Sequence, residues 1–202
     1  LGSFGYQWKG GGVDISGATS ASYTLTQVDV GQTITAEVNY TDAQGTVESV
    51  SSVATAGVAN VNDTPTGTVT ISETATEDQV LTVDNDLGDE DGLGSFGYQW
   101  KRDGAAISGA TSASHTLTQA DVGKVITVAV SYTDALGTAE SVSSVATAAV
   151  ANVNDSPTVS DLIRSGNEDS TITITLSGID EDPGDVLTSS VVSLPSHGSV
   201  SL

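Results

Sequence analysis

The residues best suited to chemistry in this chain are clustered oxygen donors. Two segments read Asn-x-Asn-Asp-x-Pro, at Asn60–Pro65 and Asn152–Pro157. Asp84, Asp86, Asp89, Glu90 and Asp91 crowd one stretch between them, with Glu77-Asp78 just ahead. The tail carries Glu168-Asp169 and then Asp180, Glu181, Asp182 and Asp185. Carboxylates gathered so closely repel one another unless neutralised. A hard divalent cation neutralises them best, and Ca2+ takes about 6–8 oxygen ligands from flexible loops, including carbonyl and asparagine oxygens. The candidate ligands are Asn62, Asp63, Glu77, Asp78, Asp84, Asp86, Asp89, Asp91, Asp121, Asn154, Asp155, Glu168, Asp169, Asp180, Asp182 and Asp185. Turn chemistry competes with this reading, because Asp and Asn populate turns for conformational reasons alone. Asp14, Asp103 and Asp161 are read as turn residues, while Asp121 and Asp134 suit either role.

Other chemistries find little support. The chain has 26 acidic and 5 basic residues, a formal net charge of −21. That balance argues against nucleic acid or an anionic membrane surface as partner, since both recruit Lys/Arg patches. No apolar run is long enough to span a bilayer. With no cysteine, disulfides, thiol catalysis and thiolate metal sites are excluded together. Nothing marks a nucleophile among the many serines, and no helix follows Lys9–Gly12 to cradle a phosphate. The chain is therefore read as non-catalytic. Tyr98 and Trp100 could line a sugar platform, but they alternate with Phe96 as core residues do.

The elements that position these loops follow from self-similarity. LGSFGYQWK at Leu1–Lys9 recurs at Leu93–Lys101, and ISGATSAS at Ile15–Ser22 recurs at Ile107–Ser114. The offset is 92 throughout, and 50 of 65 positions are identical between Leu1–Pro65 and Leu93–Pro157. The linkers place a partial repeat at 1–63, a complete one at 64–155 and the front of a third at 156–202. The chain reads as a piece of something longer. Alternation and turn residues predict seven short strands in the complete repeat. They centre on Val69 and Ile71, Val80–Val83, Phe96–Trp100, Ile107, Leu117, Ile126–Tyr132 and Glu140–Val150. The last slips register at Ser143-Ser144, which suggests a bulge. His115 aligns with Tyr23 of the earlier copy and is expected at an exposed strand position. If strands alternate in direction, the linkers and acidic loops fall together at the ends of each unit. Seven strands in about 90 residues is the rhythm of a β-sandwich.

The motifs GLGSFGYQWKRDGAAISGAT at Gly92–Thr111, TLTQADVG at Thr116–Gly123, VSYTDALGTAESVSS at Val130–Ser144 and VANVNDSPT at Val150–Thr158 carry a family resemblance. The chain resembles the tandem immunoglobulin-like and cadherin-like repeats of giant bacterial surface adhesins, such as RTX adhesin extenders and VCBS-type repeats. Its tail, with GIDEDPGD at Gly178–Asp185, resembles the start of a cadherin-like repeat. The resemblance implies an all-β array of sandwiches arranged end to end. It implies calcium held between an Asn-Asp linker, loop acids of one repeat and a carboxylate pair of the next. It also implies an extracellular, non-catalytic extender at the bacterial cell surface, serving cell adhesion and biofilm formation, with neighbouring repeats of the same chain as partners. The alternative is an immunoglobulin-like carbohydrate-binding or accessory module of a secreted polysaccharide-degrading enzyme.

Overall fold

A computed structural model describes residues 3–202; Leu1 and Gly2, which open the first repeat motif, lie outside the described residues. The chain is all-β, with antiparallel sheets and no α-helix among the described residues. Among the described residues, no helix is long and apolar enough to cross a membrane. The first repeat copy forms β1 (Gly5–Gly10), β2 (Val13–Asp14), β3 (Ile34–Thr41) and β4 (Val47–Ser51), in the sheet order β2-β1-β3-β4. The second forms two sheets. β5 (Val69–Ser72), β6 (Val80–Asn85) and β9 (Ser114–Thr116) make one, in the order β5-β6-β9. β7 (Gly97–Arg102), β8 (Ala105–Ala106), β10 (Ile126–Thr133) and β11 (Ala139–Ser143) make the other, in the order β11-β10-β7-β8. The tail adds only β12 (Thr158–Val159) and β13 (Gly178–Ile179), which pair with each other.

The backbone packs as two compact units. One holds the chain through Thr68 with Asp86–Phe96 and Ser131–Val142; the other holds Val69–Asn85, Gly97–Val130 and Ser143–Leu202. The core of the second unit contains Leu81, Trp100, Leu117, Ile126, Val128 and Val130, none with any solvent exposure. The expected alternation along β10 holds, since Ile126, Val128, Val130 and Tyr132 are all buried. Trp100 meets the β9 side chain of His115 at a ring distance of 5.6 Å, so the two sheets face each other across that contact. Its indole N–H is satisfied by the Ser112 carbonyl at 2.9 Å. The hairpin joining β7 to β8 turns at Asp103-Gly104, with φ of 46° and 82°. Two positive φ values match the right-handed twist of the flanking strands, which is why Asp-Gly suits the turn.

Two expectations change. The predicted seventh strand stops at Ser143 instead of continuing through a bulge to Val150. Beyond it, the Ser144 N–H donates to the Val128 carbonyl at 2.9 Å, and the Ser144 hydroxyl accepts the Val128 N–H at 3.1 Å. Thr147 treats Ile126 in the same way, at 2.9 and 3.0 Å. Side-chain oxygens replace backbone carbonyls, so the segment stays attached without forming a regular ladder. His115 is not an exposed strand residue, because its ring lies against Trp100 with 12% of the side chain accessible.

Candidate functional site

The linker acids and the Asp-Glu-Asp loops meet twice, once in each unit. In the first unit the Asp63 N–H donates to Asp91 Oδ2 at 2.9 Å, and the Asp91 N–H donates to Asp89 Oδ1 at 2.9 Å. In the second unit the Asp155 N–H donates to Asp182 Oδ2 at 2.7 Å, and the Asp182 N–H donates to Asp180 Oδ1 at 3.1 Å. Asp180 and Asp182 stand 91 residues after Asp89 and Asp91, so the tail repeats the loop in geometry as well as in sequence. A second echo lies ahead of each loop. Asp78 and Asp169, each after a glutamate and also 91 apart, both have a positive φ, 64° and 60°.

The two loops differ in what completes them. In the first, Asp91 Oδ1 accepts from Gln27 Nε2 at 2.6 Å, and Asp89 Oδ2 accepts from the Tyr132 hydroxyl at 2.6 Å. All four oxygens of Asp89 and Asp91 therefore already have a protein donor. In the second loop a further acid, Asp185, joins them. Asp180, Asp182 and Asp185 each offer an oxygen, and these oxygens lie within 4.8 Å of one another. The counterpart of Asp185 in the first loop is Gly94, where a Cβ would sit 2.0 Å from the Thr133 carbonyl oxygen. No side chain fits there, so the first loop cannot present a third carboxylate.

The Asp180–Asp185 cluster could hold a metal ion. Its donors are hard oxygens, and Ca2+ bonds of about 2.3–2.6 Å place ligand oxygens up to roughly 5 Å apart across the ion. Asn152, Asn154, Asp182, Pro183, Asp185 and Val122 line an open depression of about 350 Å3 beside it. Asn152 Nδ2 donates to Asp182 Oδ1 at 2.6 Å. The Lys and Arg ion pairs among the described residues join Lys9 to Asp14 and Glu37, Arg102 to Asp121, and Lys124 to Asp103. None reaches the cluster.

The remaining candidates lie elsewhere. Glu77 is buried and accepts from the Val153 N–H at 3.1 Å, while Asp78 is exposed. Asn62 donates to Glu140 at 2.8 Å, and Asn154 donates to the Asp155 carbonyl at 2.8 Å. Asp84 accepts from the Asn85 N–H at 2.9 Å, beside the end of the β5–β6 hairpin. Asp86 accepts from the Thr68 N–H and hydroxyl at 2.6 and 2.9 Å, and that N–H holds its carboxyl below the usual carboxylate range. Glu168 and Asp169 are exposed and do not join the Asp180 cluster. Asp134 Oδ1 accepts from the Leu136 and Thr138 N–H groups at 2.9 and 2.8 Å and closes the turn after β10.

Asp121 has a task of its own. It is fully buried, at the end of the 3-10 turn Gln119–Asp121. Oδ2 accepts from the Thr118 N–H and hydroxyl at 3.0 and 3.1 Å, and Oδ1 accepts from Arg102 Nε and Nη2, both at 2.7 Å. Burial alone pushes its carboxyl up, but the Thr118 N–H and Arg102 outweigh burial and hold it below the usual range. Asp29, its counterpart, is buried in the equivalent turn Gln27–Asp29, but the position of Arg102 is held in that copy by Gly10, which offers no side-chain donor. Its extra donor is the Tyr23 hydroxyl at 2.9 Å. Reading by sequence missed Gln27 and Tyr132 as partners of the loop acids. The only signal for either was position: Gln27 one residue after Thr26 in the capping turn, and Tyr132 at the acidic end of β10. No family model matches the chain, and no curated protein matches it.

Proposed function

We propose that this chain is a non-catalytic extender segment of a secreted bacterial cell-surface adhesin. In this reading it is stiffened by Ca2+ at its linkers and projects a ligand-binding region for cell adhesion and biofilm formation. The carrying observation is the tail cluster, where three carboxylates share a 4.8 Å space and the Asp155 N–H of the linker is bonded to one of them. Bound calcium would supply the positive charge that the chain lacks. The chain's own residues do the rest. Asp182 ties the linker to the loop through the N–H of Asp155 and the amide of Asn152, so restraint of the loop restrains the linker. Extracellular calcium far exceeds cytosolic calcium, which suits a device that stiffens after export. The aromatic row needed by a sugar-binding module finds no support in the complete repeat, where Trp100 is fully buried.

Calorimetric titration with calcium tests the proposal. The expected result is saturable binding that the Asp185→Asn variant weakens by at least about tenfold, a loss of ~1.4 kcal/mol. Asp185 is exposed, and its carboxylate has no protein donor among the described residues, so the calcium-free melt of the variant should match that of the parent. Equal binding by parent and variant, or none by either, defeats the reading.

A further inference from the structure

Three residues recur with the same identities in both units: a glutamine in the 3-10 capping turn, an asparagine in the linker and an aspartate in the acidic loop. They are Gln27, Asn60 and Asp91 in the first unit, and Gln119, Asn152 and Asp182 in the second. In both units Oδ2 of the loop aspartate accepts a linker N–H, from Asp63 at 2.9 Å and from Asp155 at 2.7 Å. In both units Oδ1 accepts a side-chain amide at 2.6 Å. The amide is not the same one. Asp91 takes Gln27 of the capping turn, whereas Asp182 takes Asn152 of the linker.

The amide left over is stranded in each case. In the first unit Asn60 Oδ1 is buried and has no hydrogen-bond partner. In the second, Gln119 Oε1 and Nε2 are both buried without one. A buried amide without a partner is costly, and native structures hold few of them. Here the residue stranded in each unit is the one that serves as donor in the other. The identities of the three residues do not account for the choice, because all three match. The turns are built alike as well: the glutamine follows the capping Thr26 or Thr118 and opens a turn that ends on the buried Asp29 or Asp121. The two units thus display two arrangements of one device, each satisfying one amide and stranding its rival.

We infer that the capping-turn glutamine and the linker asparagine are interchangeable donors to Oδ1 of the loop aspartate, so that each unit carries a two-position latch on its linker. With the glutamine engaged, the loop aspartate bonds the linker through one group, the N–H of Asp63. With the asparagine engaged, it bonds the linker through two, the N–H of Asp155 and the amide of Asn152. Exchange breaks one hydrogen bond and forms another of the same kind, so a population of both positions is the natural condition of either unit. The latch needs no third acid, since the first loop has it without one. It is therefore a property of the chain separate from cation binding.

The test uses the full chain in chelator, so that no cation takes part. Nuclear magnetic resonance follows the side-chain NH2 groups, and hydrogen exchange at the Asp155 N–H reports how firmly Asp182 is placed. Asn152→Ala and Gln119→Ala should each change that exchange by less than about twofold, because the remaining amide takes over, whereas the double variant should speed it at least about tenfold. In Asn152→Ala the Gln119 side-chain amide should gain protection, and in Gln27→Ala the Asn60 side-chain amide should gain it. These two single variants keep the test decisive even where the double variant fails to fold. Exchange at Asp155 as fast in Asn152→Ala as in the double variant would make Asn152 the sole donor and overturn the inference. So would single effects that simply add, a double variant that exchanges like the parent, or side-chain amides unaltered by the loss of their rival.

Discussion

Asp121 has no contact with solvent and still carries its charge. Backbone and hydroxyl donors from Thr118 and two nitrogens of Arg102 make that possible, and they are lost when the chain unfolds. Its folded acidity constant lies below the unfolded value, so its contribution to stability is complete above about pH 4 and is lost as pH falls through the folded value. Asp29 and Asp134 are shifted in the same direction. For Asp29 the Thr26 N–H is the main cause; for Asp134, N–H groups led by that of Thr138 overcome burial. Urea midpoints measured from pH 6 to pH 2 should fall steeply below pH 4. Asp121→Asn should flatten part of that fall and lower stability near neutrality by roughly 2–4 kcal/mol, since it leaves Arg102 without its charged acceptor. Parallel pH profiles for parent and variant would show that the carboxylate contributes nothing through its charge.

At the scale of elements, the segment after β11 shows how much a pattern can reveal. The alternation of Ile126, Val128, Val130 and Tyr132 was legible because period-two burial is written directly into a strand. The irregularity at Ser143-Ser144 was visible too, but its meaning was not. Only the fold shows hydroxyls taking the place of ladder carbonyls. Ser144→Ala should therefore leave the buried Val128 N–H without an acceptor and cost about 1–3 kcal/mol. Faster hydrogen exchange at Val128, with β10 otherwise protected, would report the loss directly; an unchanged exchange rate would contradict it. The acidic loops follow the same logic. Sequence located both Asp-Glu-Asp motifs and named Asp185 beside the second, but it did not show that the first has no room for a matching acid. Only the second has a third acid within reach, because the Thr133 carbonyl crowds Gly94 in the first. His115 was misplaced for a related reason: its ring packs on Trp100, a contact between sheets that no local pattern encodes.

The chain as a whole carries a formal charge of −21, so its response to a divalent cation is the property that most distinguishes the proposed role from an inert spacer. Binding to the folded form alone adds RT ln(1 + [L]/Kd), about 2.7 kcal/mol at a hundredfold excess over Kd. Melts with calcium and with a chelator should separate accordingly, and small-angle scattering should show a stiffer particle in calcium. Coincident melts and scattering curves would leave the acids as turn residues alone. The exchange of donors around the two buried aspartates has a consequence at this scale as well. Neighbouring copies identical at 50 of 65 positions are prone to trade segments during folding, a characteristic failure of repeat proteins. A hybrid joining the Gly10 segment to His115 strips Asp121 of its guanidinium. The reverse hybrid crowds Arg102 and Tyr23 onto Asp29. The paired differences Gly10/Arg102 and Tyr23/His115 therefore act as a lock between copies that are otherwise interchangeable. A double-mutant cycle reads that lock: Arg102→Gly alone should destabilise the chain, and adding His115→Tyr should restore part of the loss by returning the hydroxyl donor that Asp29 uses.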